Sequence, residues 1–89
     1  MSTPTPASTT VDVHLFAAAR AAVGAGEVQA IPGTLESILL ELAEQHPAFA
    51  PVRARCSFLV DGLVVHGDLG YVNVAAGQRV DVLPPFAGG

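Results

Sequence analysis

One stretch of this chain has the pattern of a full-length amphipathic helix, and it limits the possible folds more than any other feature. Between residues 34 and 46, apolar side chains recur at the three- and four-residue spacing of one helix face. They are Leu35, Ile38, Leu39 and Leu42, with Ala43 and His46 continuing the stripe. Thr34 is a typical N-cap residue, and Glu36 places a negative charge in the first turn, where the helix dipole favours it. Pro47 ends the helix, because the residue before a proline is pushed out of the α region.

Two strand-like segments precede this helix. In residues 11–16, apolar side chains occupy every second position from Val11 to Leu15, which is the pattern of a half-buried strand. Residues 27–31 form a second such segment, and together the two predict a β-hairpin with a long connection. The alanine-rich residues 17–23 inside that connection fit either a helical turn or a wide loop.

Strand signals return after the helix. The apolar residues 58–60 and 63–65 flank Asp61-Gly62, a dipeptide that strongly indicates a tight hairpin turn. The other segments predict irregular structure: a connection over 47–56 that contains two prolines, and a loop over 67–77 in which 71–74 form a short extended or helical turn.

The last strand is predicted over residues 79–83, with Val80 and Val82 facing inward and Asp81 outward. The order of elements is then β-β-α-β-β-β. One helix can cover only one face of one sheet. We therefore predict a single α+β domain over residues 11–83, with one mixed sheet curled around one main helix. Outside it we expect a disordered tail over 1–10 and a flexible tail over 84–89.

Charge and cysteine content exclude several classes of protein. The net charge is −4 and the only Lys or Arg residues are four arginines, which argues against a nucleic-acid partner. The first ten residues lack the features of a signal peptide, and no apolar run approaches the roughly 20 residues that span a bilayer. The single cysteine, Cys56, cannot form an intrachain disulfide, so we expect a cytoplasmic protein. His14, His46 and His66 are far apart in sequence and have no cysteine or carboxylate at the spacing of metal ligands, so no metal site is predicted.

The segment after the last strand has a chemistry of its own. Pro84 and Pro85 cannot continue the interior of a sheet and release the chain from it. Residues 84–89 reach on the order of 20 Å when extended, and Gly88 and Gly89 need almost no width. This tail can enter a narrow pocket and present the Gly89 carboxylate there. Adenylation with ATP would make that carboxylate an electrophile for a sulfur, amine or hydroxyl nucleophile. A Gly-Gly end alone also fits a frayed terminus.

The residues "VHLFAAAR" near the start and "LPPFAGG" at the end, with the order of elements, resemble the small subunit of molybdopterin synthase. This family belongs to the ubiquitin-like (β-grasp) sulfur carriers. The resemblance implies that an E1-like enzyme uses ATP to adenylate Gly89, which then receives sulfur from a donor as a thiocarboxylate. It implies insertion of the tail into the large synthase subunit, within a heterotetramer, where sulfur passes to cyclic pyranopterin monophosphate. The domain itself is expected to bind no cofactor, because the catalytic pocket belongs to the large subunit.

The resemblance also implies which residues meet the partner. Phe16 and Leu83 fall on the outward side of their strands, and with Leu63 they match a hydrophobic patch of the family. Arg20 matches a basic residue that supports the contact, and an outward apolar cluster with a polar rim suits docking. Single exposed apolar residues are also ordinary, and a bulge would turn Phe16 inward. The residues expected to line the partner channel are Pro84, Pro85, Phe86, Ala87 and Gly88.

Other destinations for the carrier remain open. Sulfur delivery to thiamine, cysteine or another metabolite uses the same chemistry, although Pro84-Pro85 favours the molybdopterin route. A ubiquitin-like protein modifier or binding module is the alternative from another class. One departure from the family is the sequence "AAGQRV" before the last strand, where members often carry "DGDEV" and Arg79 replaces an acid.

Overall fold

The computed structural model describes residues 9–85. The elements in chain order are β1 (Val11–Leu15), α1 (Ala17–Val23), β2 (Glu27–Ala30), β3 (Gly33–Thr34), α2 (Leu35–Gln45), α3 (Phe49–Arg53), β4 (Ser57–Val60), β5 (Leu63–Val64), a 3₁₀ turn (Leu69–Tyr71), β6 (Asn73–Val74) and β7 (Arg79–Leu83). The tail residues 1–8 and 86–89 of the sequence prediction lie outside the described residues.

The main helix forms where its apolar stripe predicts it. Thr34 is the N-cap, and its Oγ1 accepts a hydrogen bond from the backbone N–H of Ser37 at 3.1 Å. The Ser37 hydroxyl donates back to the Thr34 carbonyl oxygen at 2.7 Å, so the first turn is closed from both sides. The helix ends at Gln45, and His46 is its C-cap, directly before Pro47. Within residues 9–85, no helix has the length and apolar character that a membrane crossing needs.

A mixed sheet of five strands covers the helix, which confirms the predicted fold class. The strand order is β2-β1-β7-β4-β5, and β1 and β7 run parallel while the other neighbours are antiparallel. The prediction of one sheet was incomplete, because β3 and β6 pair separately as a two-stranded sheet. Strands of two residues are too short to show any periodicity in sequence.

Two shorter helices complete the covering layer. The ambiguous segment after β1 is the helix α1, which ends at Gly24 in the left-handed conformation with φ +84°. The prediction that 47–56 is irregular was wrong, because α3 lies there and its Phe49 is completely buried. Pro47 precedes α3, and Pro51 falls in its first turn, where a backbone N–H has no intrahelical partner to lose. The two prolines therefore permit this helix.

The core lies between the sheet and the helices. Val80 and Val82 face it from the central strand β7, as the alternation predicts, and each fully buried side chain of this size stabilises the fold by about 1.5–3 kcal/mol. The largest fully buried residues are Phe49, Leu15, Leu35, Leu39, Val11, Val13, Val80 and Val82.

Asp81 lies on the outer face of β7, yet it is only 9% exposed, so its predicted outward position does not bring it into solvent. In the register of the sheet it stands between His14 of β1 and Leu59 of β4. The Arg79 Nε donates to the Oδ1 of Asp81 at 2.7 Å, a charge-assisted hydrogen bond to one oxygen of the carboxylate. A central strand has neighbours on both sides, and they cover a short side chain even on the outer face.

Candidate docking face and tail root

Phe16 occupies the junction between β1 and α1. It is the N-cap of α1 with an extended backbone, and its N–H donates to the Val82 carbonyl oxygen at 3.1 Å. Its side chain is 39% exposed. The next residue, Ala17, has φ +52°, a left-handed conformation that is unfavourable for a residue with a Cβ. The chain therefore turns sharply from strand to helix and leaves the phenyl ring at the surface.

Leu83 stands beside Phe16 at the end of the sheet. Because β1 and β7 are parallel and Leu15 is opposite Val82, the next residues of the two strands share the outer face. Leu83 is half-buried, and Pro84 and Pro85 after it are exposed. The structure thus brings together two of the three predicted patch residues, at the point where the chain leaves the sheet.

Leu63 does not share this face. In the hairpin of β4 and β5, Leu63 is opposite Val60, which packs against the core, and Val64 is opposite Leu59. Directly paired residues lie on the same face of a sheet, so Val64 continues the outer face and Leu63 ends the core-side row. Leu63 is 74% exposed because it lies on an edge strand.

We therefore define the docking face as four apolar residues of the outer side of the sheet: Phe16, Leu59, Val64 and Leu83. Sequence reasoning missed two of them, Leu59 and Val64. The signal was present, because a two-residue turn at Asp61-Gly62 fixes the pairing of the residues around it. Asp61 and Gly62 have φ +48° and +81°, as a type I′ turn requires.

The outer face of the sheet is polar towards β1 and β2, away from the β4–β5 hairpin. The row that contains Leu59 continues across the sheet to Asp81, His14 and Glu27. The His14 Nε2 lies 3.8 Å from a Glu27 carboxylate oxygen. The docking face is thus bordered by carboxylates on one flank.

Arg20 lies on α1 and is exposed. Its guanidinium packs against the backbone at Gly26, where an added Cβ would stand 3.5 Å from the Arg20 Cζ. Among the described residues it forms no ion pair. The predicted basic residue is therefore available beside the strand end that carries Phe16.

A groove of about 470 Å³ lies on the helical side of Phe16. Its walls come from the start of α1, from α3 and from the tail root, which we define as Pro84 and Pro85. Cys56 also lines it; its Sγ donates to the Val52 carbonyl oxygen at 3.3 Å, and burial raises the pKa of its thiol. A raised pKa lowers the fraction of the reactive thiolate at neutral pH.

Within residues 9–85 no group of three His, Cys, Asp or Glu residues could hold a metal ion. The remaining predicted site residues, Phe86, Ala87, Gly88 and Gly89, lie outside the described residues.

The sheet order, with parallel central strands and one long helix across the core, defines a β-grasp domain, the fold of ubiquitin-like proteins. The ThiS family model matches residues 13–89, and the chain belongs to this family of ubiquitin-like sulfur carriers. No curated protein matched the chain.

Solved structures share the fold at low sequence identity. The small archaeal modifier protein 1 from Methanosarcina acetivorans has a TM-score of 0.77 at 24% identity, with 92% of this chain and 98% of that chain covered. A putative molybdopterin converting factor subunit 1 from Pyrococcus furiosus gives 0.74 at 24% identity, covering 88% and 99%. A complex of subunits 1 and 2 of molybdopterin-converting factor from Helicobacter pylori gives 0.64 at 15% identity, covering 90% and 99%.

Proposed function

We propose that this chain is the small subunit of a molybdopterin synthase and donates sulfur from a thiocarboxylate at Gly89 to cyclic pyranopterin monophosphate. The family match carries the proposal, because it identifies a sulfur carrier and extends through Gly89. The similarity to proteins described as molybdopterin converting factor subunit 1 supports this destination of the sulfur. The "LPPFAGG" sequence supports it independently.

The proposed chemistry takes place at one carboxylate. An oxygen of Gly89 attacks the α-phosphorus of ATP, pyrophosphate leaves, and an acyl adenylate forms. A sulfur donor at the oxidation level of sulfide then attacks the carbonyl carbon, and AMP leaves. The product is a thiocarboxylate, whose sulfur is the nucleophile for the pterin. ATP belongs to the activating enzyme, and the carrier supplies only the acyl group.

Three partners follow from this proposal: an E1-like adenylating enzyme, a sulfur donor and a large synthase subunit. The Helicobacter pylori complex of subunits 1 and 2 supports the large subunit, and the family resemblance suggests a heterotetramer in the cytoplasm. The docking face and Arg20 would hold the domain against each partner. The tail root, Phe86, Ala87 and Gly88 would occupy the channel that leads to the reaction.

Deletion of Gly89 tests the proposal. The full chain, incubated with the cognate activating enzyme, ATP and a sulfide donor, is expected to gain the mass of one sulfur in place of one oxygen. The chain without Gly89 should gain none and should keep its unfolding midpoint. Removal of residues 2–8 is the control truncation and should not change the yield. Dithiolene formation by the chain without Gly89 would refute the proposal.

A protein modifier is the second candidate. The observation in its favour is the similarity to two solved small archaeal modifier proteins, from Methanosarcina acetivorans and Haloferax volcanii. A modifier would be joined to lysine side chains, so isopeptide adducts that contain the C-terminal glycine would appear in extracts of the source cells. The exchange of oxygen for sulfur without such adducts would support the carrier alone.

A further inference from the structure

An apolar groove lies beside the tail root, on the helical side of the docking face. It is lined by Ala17, Ala18 and Ala19 from α1, by Pro51 and Val52 from α3, and by the tail root. Phe16 forms its rim and also belongs to the docking face. The groove and the docking face are therefore one continuous surface that folds around the end of β7.

The groove has a charged border. Arg55 lines it and is exposed, and it forms no ion pair within residues 9–85. Two other arginines are neutralised inside the domain: Arg53 pairs with Glu36, and Arg79 pairs with Asp81. In a chain with a net charge of −4, an unpaired guanidinium beside an apolar groove is complementary to an acidic surface.

The position of the groove identifies what meets it. A protein that encloses residues 86–89 must lie against Pro84 and Pro85, which form one wall of the groove. Ala17, which also lines the groove, has a left-handed backbone, a strained conformation of the kind that folds retain at binding surfaces. Contact at the tail root would therefore bring a surface of the tail-binding protein over the groove itself.

We infer that the groove receives an apolar side chain of the large synthase subunit, and that a carboxylate next to that side chain pairs with Arg55. The inference rests on the proposed function and names a second contact for the same partner. The domain would then be held on both sides of its tail, by the docking face and by the groove. Two contacts around the tail root would fix the direction in which the tail enters the channel.

Substitutions in the groove test this directly. The dissociation constant of the full chain for the large subunit from the same organism would be measured by calorimetry at two salt concentrations. Ala18→Leu fills the groove and should weaken binding at least about tenfold. Arg55→Gln should weaken it about fivefold and reduce its salt dependence. Ala21→Leu, on an exposed part of α1, and Ala76→Glu, with the same charge change as Arg55→Gln, should stay within about twofold.

The cysteine provides a readout without substitution. Cys56 lines the groove, so bound large subunit should slow its alkylation by a maleimide at least about tenfold, followed by peptide mass spectrometry. Unchanged alkylation together with unchanged affinity of the groove variants would overturn the inference. The proposed function would survive that result if the unaltered chain binds and Phe16→Ala weakens binding. No binding by the unaltered chain would overturn both.

Discussion

The carboxylate of Asp61 accepts a hydrogen bond from the backbone N–H of Arg79 at 2.8 Å, which ties the hairpin turn to the first residue of the last strand. The side-chain amide of Gln78 donates to its other oxygen at 2.9 Å, and the Asp61 N–H donates to the Arg79 carbonyl oxygen. These bonds to the ionised form lower the pKa of the Asp61 carboxyl. The turn thereby sets where β7 begins relative to β4, and so which residues reach the outer face.

Asp61 should make the stability of the domain depend on pH. A carboxyl with a lowered folded-state pKa contributes its stability above the unfolded pKa of about 4, and the contribution is lost as pH falls through the folded pKa. The unfolding midpoint in urea should therefore fall below about pH 4, and Asp61→Asn should show a smaller fall. Asn tolerates the left-handed backbone of this turn and keeps one acceptor oxygen, so it removes the charge and one accepted hydrogen bond without changing the backbone preference.

Asp61→Ala is the stronger change at the same position. It removes both accepted bonds and also places a residue of poor left-handed propensity at φ +48°. Its unfolding midpoint at pH 7 should lie below that of Asp61→Asn. Equal midpoints for the two variants would contradict the role of the turn geometry.

Ala17→Gly should stabilise the domain by up to about 1.5 kcal/mol. Glycine removes a left-handed strain of about 1–2 kcal/mol but adds about 0.4–1 kcal/mol of unfolded-state entropy. Ala21→Gly, inside the same helix, should instead destabilise by about 1 kcal/mol. Both are measured by urea unfolding, and equal destabilisation by the two changes would show that Ala17 has an ordinary helical backbone.

The ion pair of Glu36 and Arg53 joins α2 to α3, with 2.6 Å between a carboxylate oxygen and Nη2. A double-mutant cycle with alanine at both positions should give a coupling of about 0.5–1 kcal/mol that falls with added salt. Arg55 is two residues after Arg53 and forms no ion pair in the described structure. Arg55→Ala should therefore change the free energy of unfolding by less than about 0.5 kcal/mol. A coupling free energy of zero would show that this ion pair does not help to hold α3 against α2.

Two phenylalanines separate stability from recognition. Phe49→Ala should cost about 3–5 kcal/mol, because this ring, at the start of α3, is completely buried in the core. Phe16→Ala should cost much less, about 1 kcal/mol, since the ring is 39% exposed, yet it should weaken binding to the large subunit. A large loss of stability on Phe16→Ala would assign that ring to the core.

The register of the second hairpin predicts a difference between adjacent residues. Val64→Asp should weaken binding to the large subunit about tenfold, because Val64 lies on the docking face. Leu63→Asp, on the other side of the same strand, should remain within about twofold. Both residues are exposed on an edge strand, so neither change should prevent folding. The opposite order of effects would restore Leu63 to the patch.

Much of the fold could be predicted because its signals are local. The stripe of α2, its Thr34 cap, the alternation in β1 and β7 and the Asp61-Gly62 turn each depend on residues within a few positions of one another. Pro47 and Pro51 hide helix α3 in the sequence, because proline usually indicates a break, although a proline at a helix start is tolerated. The short strands β3 and β6 form by pairing with each other, although they are distant in sequence.

The docking face illustrates the same division. The outward positions of Phe16 and Leu83 follow from counting along one strand, and the pairing of Val64 with Leu59 follows from counting around one turn. The burial of Asp81 could not be predicted from its position along one strand, because it depends on His14 and Leu59, which belong to two other strands. The groove is likewise a product of three segments that are distant in sequence.

The sequence by itself determined the main helix and the alternation of the strands, because local periodicity suffices for these features. Only the tertiary structure decided that Asp81 is covered and that Arg55 stands beside an apolar groove. Each of these depends on which strands and helices become neighbours, and burial in a sheet is set by those neighbours rather than by the residue alone.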